Sequence, residues 1–346
     1  MKSVVATTYG GPEVLRVVDA PPPVAADNQV LVRVAASSIN PLDWHELRGT
    51  PYVVRMMRGL RAPKPSGQAM GSDVAGVVES VGAGVTRFAV GDAVFGFGSG
   101  AWSELMVVGE AGLVPKPDSL SMTDAGGVGV AAITALQGLR RGGLVAPLTW
   151  GPGEVEPMRP RVLIIGASGG VGTFAVQIAK LLGAHVTAVT STRNVELVAR
   201  LGADDVIDYT TTEVTQGLAR FDLIFELAGN RRLRDLARIL TPTGSLVACG
   251  APNGDWVAPL AAPAGLVLAS RFSKRTFQSF LAKRDTVDLQ TIADWLGSGA
   301  LRVVIDEVYP VERIADAVAH AEPGHARGKV VVTLSGADGF ERVLLR

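Results

Sequence analysis

The sequence predicts an α/β protein in two parts, a compact β-barrel and a right-handed, doubly wound parallel sheet. Three observations predict this. The first third is a series of short β-rich runs, the middle alternates apolar strands with amphipathic helices, and a glycine-rich turn joins the first of those strands to its helix. At 346 residues the chain is longer than one core usually supports, so two domains are expected.

The barrel strands are residues 4–6, 15–18, 30–34, 74–81, 93–97 and 105–108, separated by Gly, Pro and Asp. The 141–160 stretch, rich in Gly and Pro, reads as a surface insertion. Residues 161–165 then form a continuous apolar strand. Val171, Phe174, Ala175, Ile178, Ala179 and Leu182 follow on one helical face before Gly183 stops the helix. Strands recur at 185–190, 206–208, 221–227 and 246–250, with helices at 195–201 and 233–240. Five strands joined this way pair in parallel, because right-handed crossovers place the helices over the sheet faces. Helices at 288–296 and 311–321 and a closing strand at 329–334 complete the pattern.

Composition removes several function classes. Thirty-three basic residues balance 33 acidic ones, so no net field draws the chain to nucleic acid or to an anionic bilayer. The longest apolar run, 257–269, is broken by proline and too short for an integral span, which needs about 20 residues. No apolar leader follows Met1, and Cys249 is the single cysteine; the expected address is cytoplasmic. One cysteine and four histidines make a four-ligand zinc site hard to assemble, so no metal is expected. Cys249, inside an apolar strand, reads as a small buried hydrophobe.

The strongest chemical signal is Gly166-Ala167-Ser168-Gly169-Gly170-Val171-Gly172, between the 161–165 strand and its helix. Gly166 permits the tight turn, Gly169 lets backbone N–H groups approach a pyrophosphate, and Gly172 lets the helix sit close on the sheet. The helix N-terminus adds the positive end of its dipole. Strand, glycines, helix and four later strands together point to a bound dinucleotide.

The end of the second strand selects which one. It reads Thr190-Ser191-Thr192-Arg193-Asn194, with no carboxylate to hold the ribose hydroxyls of NADH. Ser191 and Arg193 are suited to a 2′-phosphate, so NADPH is the expected cofactor. The plainer alternative has Ser191 capping the next helix and Arg193 solvated on its first turn. Tyr209, after the third strand, either packs near the adenosine end or is a half-buried strand-end aromatic.

Several separated motifs resemble the medium-chain dehydrogenase/reductase superfamily, in the zinc-free branch similar to the quinone oxidoreductases. They are residues 37–43, 71–78, 90–94, 133–136, 166–172, 201–204 and 328–331, which span nearly the whole chain in the family's order. The resemblance implies a GroES-like catalytic domain at 1–128, a Rossmann NADPH-binding domain at 129–268, and a 269–346 segment that completes the catalytic domain. A substrate cleft is implied between them. Zinc-dependent members carry Cys near Asn40 and Gly-His-Glu where this chain has Gly71-Ser72-Asp73, so the resemblance implies no metal.

By the same resemblance Asn40 and Asp43 lie at the nicotinamide and substrate end, Asn40 as an oxyanion donor and Asp43 orienting its neighbours. The alternative is a turn at Asn40-Pro41 with Asp43 as a helix cap. Thr134 matches a position facing the nicotinamide, although a helical threonine is commonly just packed. Ala228 and Gly250, at strand ends, fall on the carboxyl edge of the sheet where ligands bind. Lys329, like Arg327, reaches the cofactor phosphates or is an ordinary solvated cation. Tyr52 is a candidate proton donor, with water as the default. The 53–65 segment, with Met56, Met57 and three arginines, suits a lid, a dimer contact or a membrane-surface helix.

The sequence therefore predicts an NADPH-dependent, zinc-free oxidoreductase acting on a small quinone or other α,β-unsaturated carbonyl, as a homodimer. Rival readings are a ketone, aldehyde or enoyl-thioester reductase, and a non-catalytic NADPH-binding redox sensor.

Overall fold

The computed structural model describes residues 1–52, 55, 59–60, 69–145, 158–216, 219–249 and 273–334. They form two compact units: Met1–Ile133 with the described part of Lys283–Arg346, and the described part of Thr134–Ala282.

The first unit begins with an antiparallel pair, β1 (Lys2–Ala6) and β2 (Leu15–Asp19). After β3 (Gln29–Ser38) come helix α1 (Pro41–Arg48) and strands β4 (Asp73–Val81), β5 (Ala93–Phe97), β6 (Leu105–Gly109) and β7 (Leu113–Pro115). Two helices follow, α2 (Met122–Gly126) and α3 (Gly129–Arg141), and the division between the units falls within α3.

The second unit holds β8 (Arg161–Ile165), α4 (Gly170–Leu181), β9 (His185–Thr190), α5 (Val195–Arg200), β10 (Asp205–Asp208), β11 (Phe221–Glu226), α6 (Leu233–Arg238), β12 (Leu240–Ala248) and β13 (Thr276–Ser279). Its strands lie in the order β10-β9-β8-β11-β12-β13, every pair parallel. The order reverses between β8 and β11, which is where such sheets open a ligand crevice at their carboxyl ends. Val162, Leu163, Ile164 and Ile165 of β8 are all buried, as a central parallel strand covered on both faces requires.

The chain then returns to the first unit with α7 (Thr286–Gly297), β14 (Ile305–Pro310), α8 (Ile314–Ala321) and β15 (Lys329–Thr333). The sheet there runs β14-β15-β3-β4-β5-β7, with β6 also paired to β3. Val32, Val34, Val74, Trp102, Met106, Val330 and Val332 share its core, so residues from both ends of the sequence enclose one apolar interior.

Among the described residues the parallel sheet has six strands where five are expected. Thr276–Ser279 escapes the sequence pattern because it is short and, among the described residues, paired only to β12, with one buried apolar residue, Phe277. The start of the 141–160 insertion moves too: α3 continues through Arg141, while residues 146–157 lie outside the described residues, as does the 257–269 run.

Candidate functional site

In the first unit, β3 ends at Ser38 and the chain turns into α1, with Pro41 at the first helical position where a missing N–H leaves no bond unmade. The Asp43 carboxylate accepts from the Asn40 N–H at 2.7 Å, and the Asp43 N–H donates to the Asn40 carbonyl at 2.9 Å. This reciprocal pairing closes the helix start and leaves the Asn40 amide for distant partners. Sheet pairing supplies them. β4 lies along one edge of β3 and begins at Asp73; β15 lies along the other, with Val331 opposite Ser38.

Asp73 is the hub. Its Oδ2 accepts from Ser38 Oγ at 2.5 Å, Asn40 Nδ2 at 2.9 Å and Lys329 Nζ at 3.3 Å, and its Oδ1 accepts from the Val130 N–H at the start of α3 at 2.6 Å. Lys329 Nζ also donates to Asn40 Oδ1 at 2.6 Å and to the Ile39 carbonyl at 3.4 Å. Ser72 Oγ donates to the second oxygen of Asp43 at 2.7 Å. Asp73, Asp43, Asn40 and Lys329 are 0, 1, 2 and 3% exposed, so each charge depends on its partners rather than on water. Burial pushes the Asp43 carboxyl up to about 7, against the opposing pull of the bonds from Ser72 and the Asn40 N–H.

The structure thus brings Asn40, Asp43 and Lys329 together and changes the reading of Lys329. Its three donors meet three acceptors inside this group, which leaves none for a cofactor phosphate. Ser72 and Asp73 enter the sequence reading only as replacements for metal ligands. The available signal is an acidic residue at the head of the buried run Val74-Ala75, since a carboxylate seldom enters a core unpaired. The Tyr52 ring lies 4.5 Å below the Arg55 guanidinium, which also covers Tyr9. Of the 53–65 segment only Arg55, Gly59 and Leu60 are among the described residues. Thr134 is buried on α3.

The second unit forms the glycine turn. Gly166 leaves β8 at φ +84°, a backbone conformation that disfavours any residue with a β-carbon. A β-carbon on Gly172 would fall on the Gly166 carbonyl oxygen, well inside contact distance. At Gly169 the only heavy atom of the described residues near such a carbon is that same oxygen, at 3.5 Å, so among the described residues the outer face of the turn is open. Gly169 also caps α4 without a side chain, leaving the first helical N–H groups to a ligand.

Around the turn, Ser168 Oγ accepts from Thr190 Oγ1 at 2.9 Å and from Asn194 Nδ2 at 3.0 Å; Asn194 Nδ2 reaches Ser191 Oγ at 3.4 Å. Ala167 lies in the turn after β8, and Gly170 and Val171 are the first residues of α4. Arg193 and Tyr209 are exposed at the ends of β9 and β10. The Ala228 N–H is committed: it and the Gly229 N–H donate to Glu226 Oε1 at 2.7 and 2.9 Å. Burial raises the pKa of Glu226, whose other oxygen is buried without a partner among the described residues. Gly250 lies outside the described residues. An open glycine turn, uncapped helical amides and hydroxyls at the adjoining strand end fit a dinucleotide.

Comparison with known proteins gives consistent relatives. Residues 26–118 match the family model described as an alcohol dehydrogenase GroES-like domain, and residues 201–332 the one described as a zinc-binding dehydrogenase. The chain is 32% identical to the chloroplast envelope quinone oxidoreductase homolog of Arabidopsis thaliana, over 93% of this chain and 95% of that protein. It is 34% identical to the mitochondrial NAD(P)H oxidoreductase RTN4IP1 of Mus musculus, over 94% and 87%. The quinone oxidoreductase structure from Coxiella burnetii superposes with a TM-score of 0.81 at 26% identity, over 96% and 99% of the two chains. The metal named in the second family description does not fit the donor set here. Among the described residues no three His, Cys, Asp or Glu side chains converge to hold an ion, and Asp73 is already taken by an ammonium and three hydrogen bonds.

Proposed function

Because the chain belongs to the quinone oxidoreductase-like family of the medium-chain dehydrogenase/reductase superfamily, we propose that it transfers a hydride from NADPH to quinones or other α,β-unsaturated carbonyls without zinc. The protein is an oxidoreductase enzyme with a GroES-like and a Rossmann domain. The observation that carries the metal-free part is the buried Lys329–Asn40–Asp73 group, in which an ammonium stands among donors that a dication would need.

The nicotinamide, when bound, supplies the hydride. The glycine-turn amides hold the pyrophosphate, and Ser191 and Arg193 hold the 2′-phosphate. Asn40 offers its second amide hydrogen to the carbonyl oxygen on which charge develops; the Lys329 ammonium on its Oδ1 draws electron density from the amide and strengthens that donor. Asp43 fixes the Asn40 backbone. Hydride addition at the β-carbon of an enone would leave negative charge on its oxygen, where Asn40 would donate, and a proton from water, or from Tyr52, would complete the reduction.

Homodimer assembly and a cytoplasmic address belong to the same proposal. Among the described residues no helix is long and apolar enough to cross a membrane. The deciding experiment follows NADPH consumption with quinones, enones, simple ketones and enoyl thioesters, with NADH in parallel and with metal content measured. Turnover of quinones or enones by metal-free protein is expected. Turnover confined to ketones, or lost with a stoichiometric metal, overturns the reading.

A further inference from the structure

At the end of β9 the local sequence offers Ser191, Thr192 and Arg193 and no acidic residue, yet the fold brings one from the neighbouring strand. β10 pairs with β9 in parallel, with Asp208 opposite Thr190. The Asp208 carboxylate turns onto the same segment. Thr192 Oγ1 donates to its Oδ2 at 2.6 Å, and the N–H and hydroxyl of Thr210 donate to its Oδ1 at 2.9 and 2.8 Å. The Thr192 and Thr210 hydroxyls lie 2.8 Å apart, closing the group.

The other side of the segment is tied to the glycine turn. Asn194 donates to Ser168 Oγ, and its own Oδ1 is buried without a hydrogen-bond partner among the described residues. Segment 191–194 is therefore pinned between the turn and a fixed carboxylate. The bonds from Thr192 and Thr210 hold that carboxyl below its ordinary pKa, so it is charged throughout the neutral range.

We propose that Asp208 is a specificity-determining residue: its charge, tied to Thr192 between Ser191 and Arg193, opposes a 2′-phosphate and keeps the preference for NADPH over NADH small. This rests on the assignment of Ser191 and Arg193 to the 2′-phosphate. Arg193 attracts that phosphate while Asp208 repels it, and NADH, which lacks the phosphate, feels neither effect strongly. A strand-end carboxylate is also a natural acceptor for a ribose hydroxyl, which favours the same cofactor. No acidic residue stands at the end of β9 in sequence, whereas the sheet supplies one laterally from β10.

Asp208→Asn tests this, because asparagine keeps an acceptor for Thr192 or Thr210 and removes the charge. Wild type and variant are titrated with NADPH, NADH and 2′,5′-ADP by calorimetry, without turnover. In the variant NADPH and 2′,5′-ADP are expected to bind about threefold to tenfold tighter at low ionic strength, with NADH unchanged or weaker; the gain shrinks as salt screens the charge. Asp208→Glu, which keeps the charge, is expected to stay near the wild-type ratio. An unchanged NADPH-to-NADH affinity ratio in a folded Asp208→Asn protein overturns the proposal and leaves the dinucleotide reading standing. Wild-type protein that binds neither cofactor overturns both.

Discussion

Lys329 and Asn40, 289 residues apart in sequence, are joined by a 2.6 Å hydrogen bond from the lysine ammonium to the asparagine carbonyl oxygen, with Asp73 accepting from both. The interior of the first unit is thus closed by a cation from β15.

Removing that cation leaves Asp73 buried with its charge uncompensated. Lys329→Met is expected to lower stability in urea by about 3–5 kcal/mol, the range for breaking a buried pair, and Lys329→Arg to retain part of it. A lysine serving cofactor phosphates would behave otherwise: stability near wild type with NADPH affinity lost.

Asp43 gives the protein a pH dependence of definite sign. Its carboxyl is pushed up to about 7 from an ordinary 3.8, so between those values the folded state binds more protons than the unfolded state. The contribution of this group is full below about 4, declines as pH rises, and is gone above about 7, at roughly 1.4 kcal/mol per unit. Comparison of Tm against pH for wild type and Asp43→Asn checks it; parallel profiles for the two proteins would refute the assignment.

Arg193→Ala is expected to weaken NADPH by about 1.5–3 kcal/mol, the usual worth of a hydrogen bond to a charged group, with NADH little changed. Equal losses for both cofactors would remove Arg193 from the 2′-phosphate.

For Asn40→Ala, turnover of a good quinone is expected to fall on the order of a hundredfold, by more than NADPH binding weakens, because a donor to developing charge acts mainly in the transition state. Full activity in this variant would take Asn40 out of the mechanism.

Legibility of the fold followed chain locality. β8, the glycine turn and α4 are readable because an apolar run, a tight turn and a 3.6-residue period sit side by side in sequence. β13 is not, since its pairing to β12 rather than its composition makes it a strand. The same holds at the sites. Asn40 and Asp43 stand in one short motif, but the partners that define their environment, Asp73 and Lys329, arrive by sheet pairing from 33 and 289 residues away. A motif therefore points to Lys329 without revealing that its charge faces inward.

The pairing of β15 onto β3 also sets an order of events during synthesis. The Ser38 end of β3 receives Val331 as its partner only after the 133-residue opening segment and the whole second unit have been made. At about 5–20 residues per second, the ribosome needs about 15–60 s to travel from Asn40 to Lys329. During that interval β3 exposes an open edge and Asp73 lacks its ammonium, while the second unit already has every strand of its own sheet. The Ala36–Ser38 end of β3 therefore waits for β15 to gain its partner.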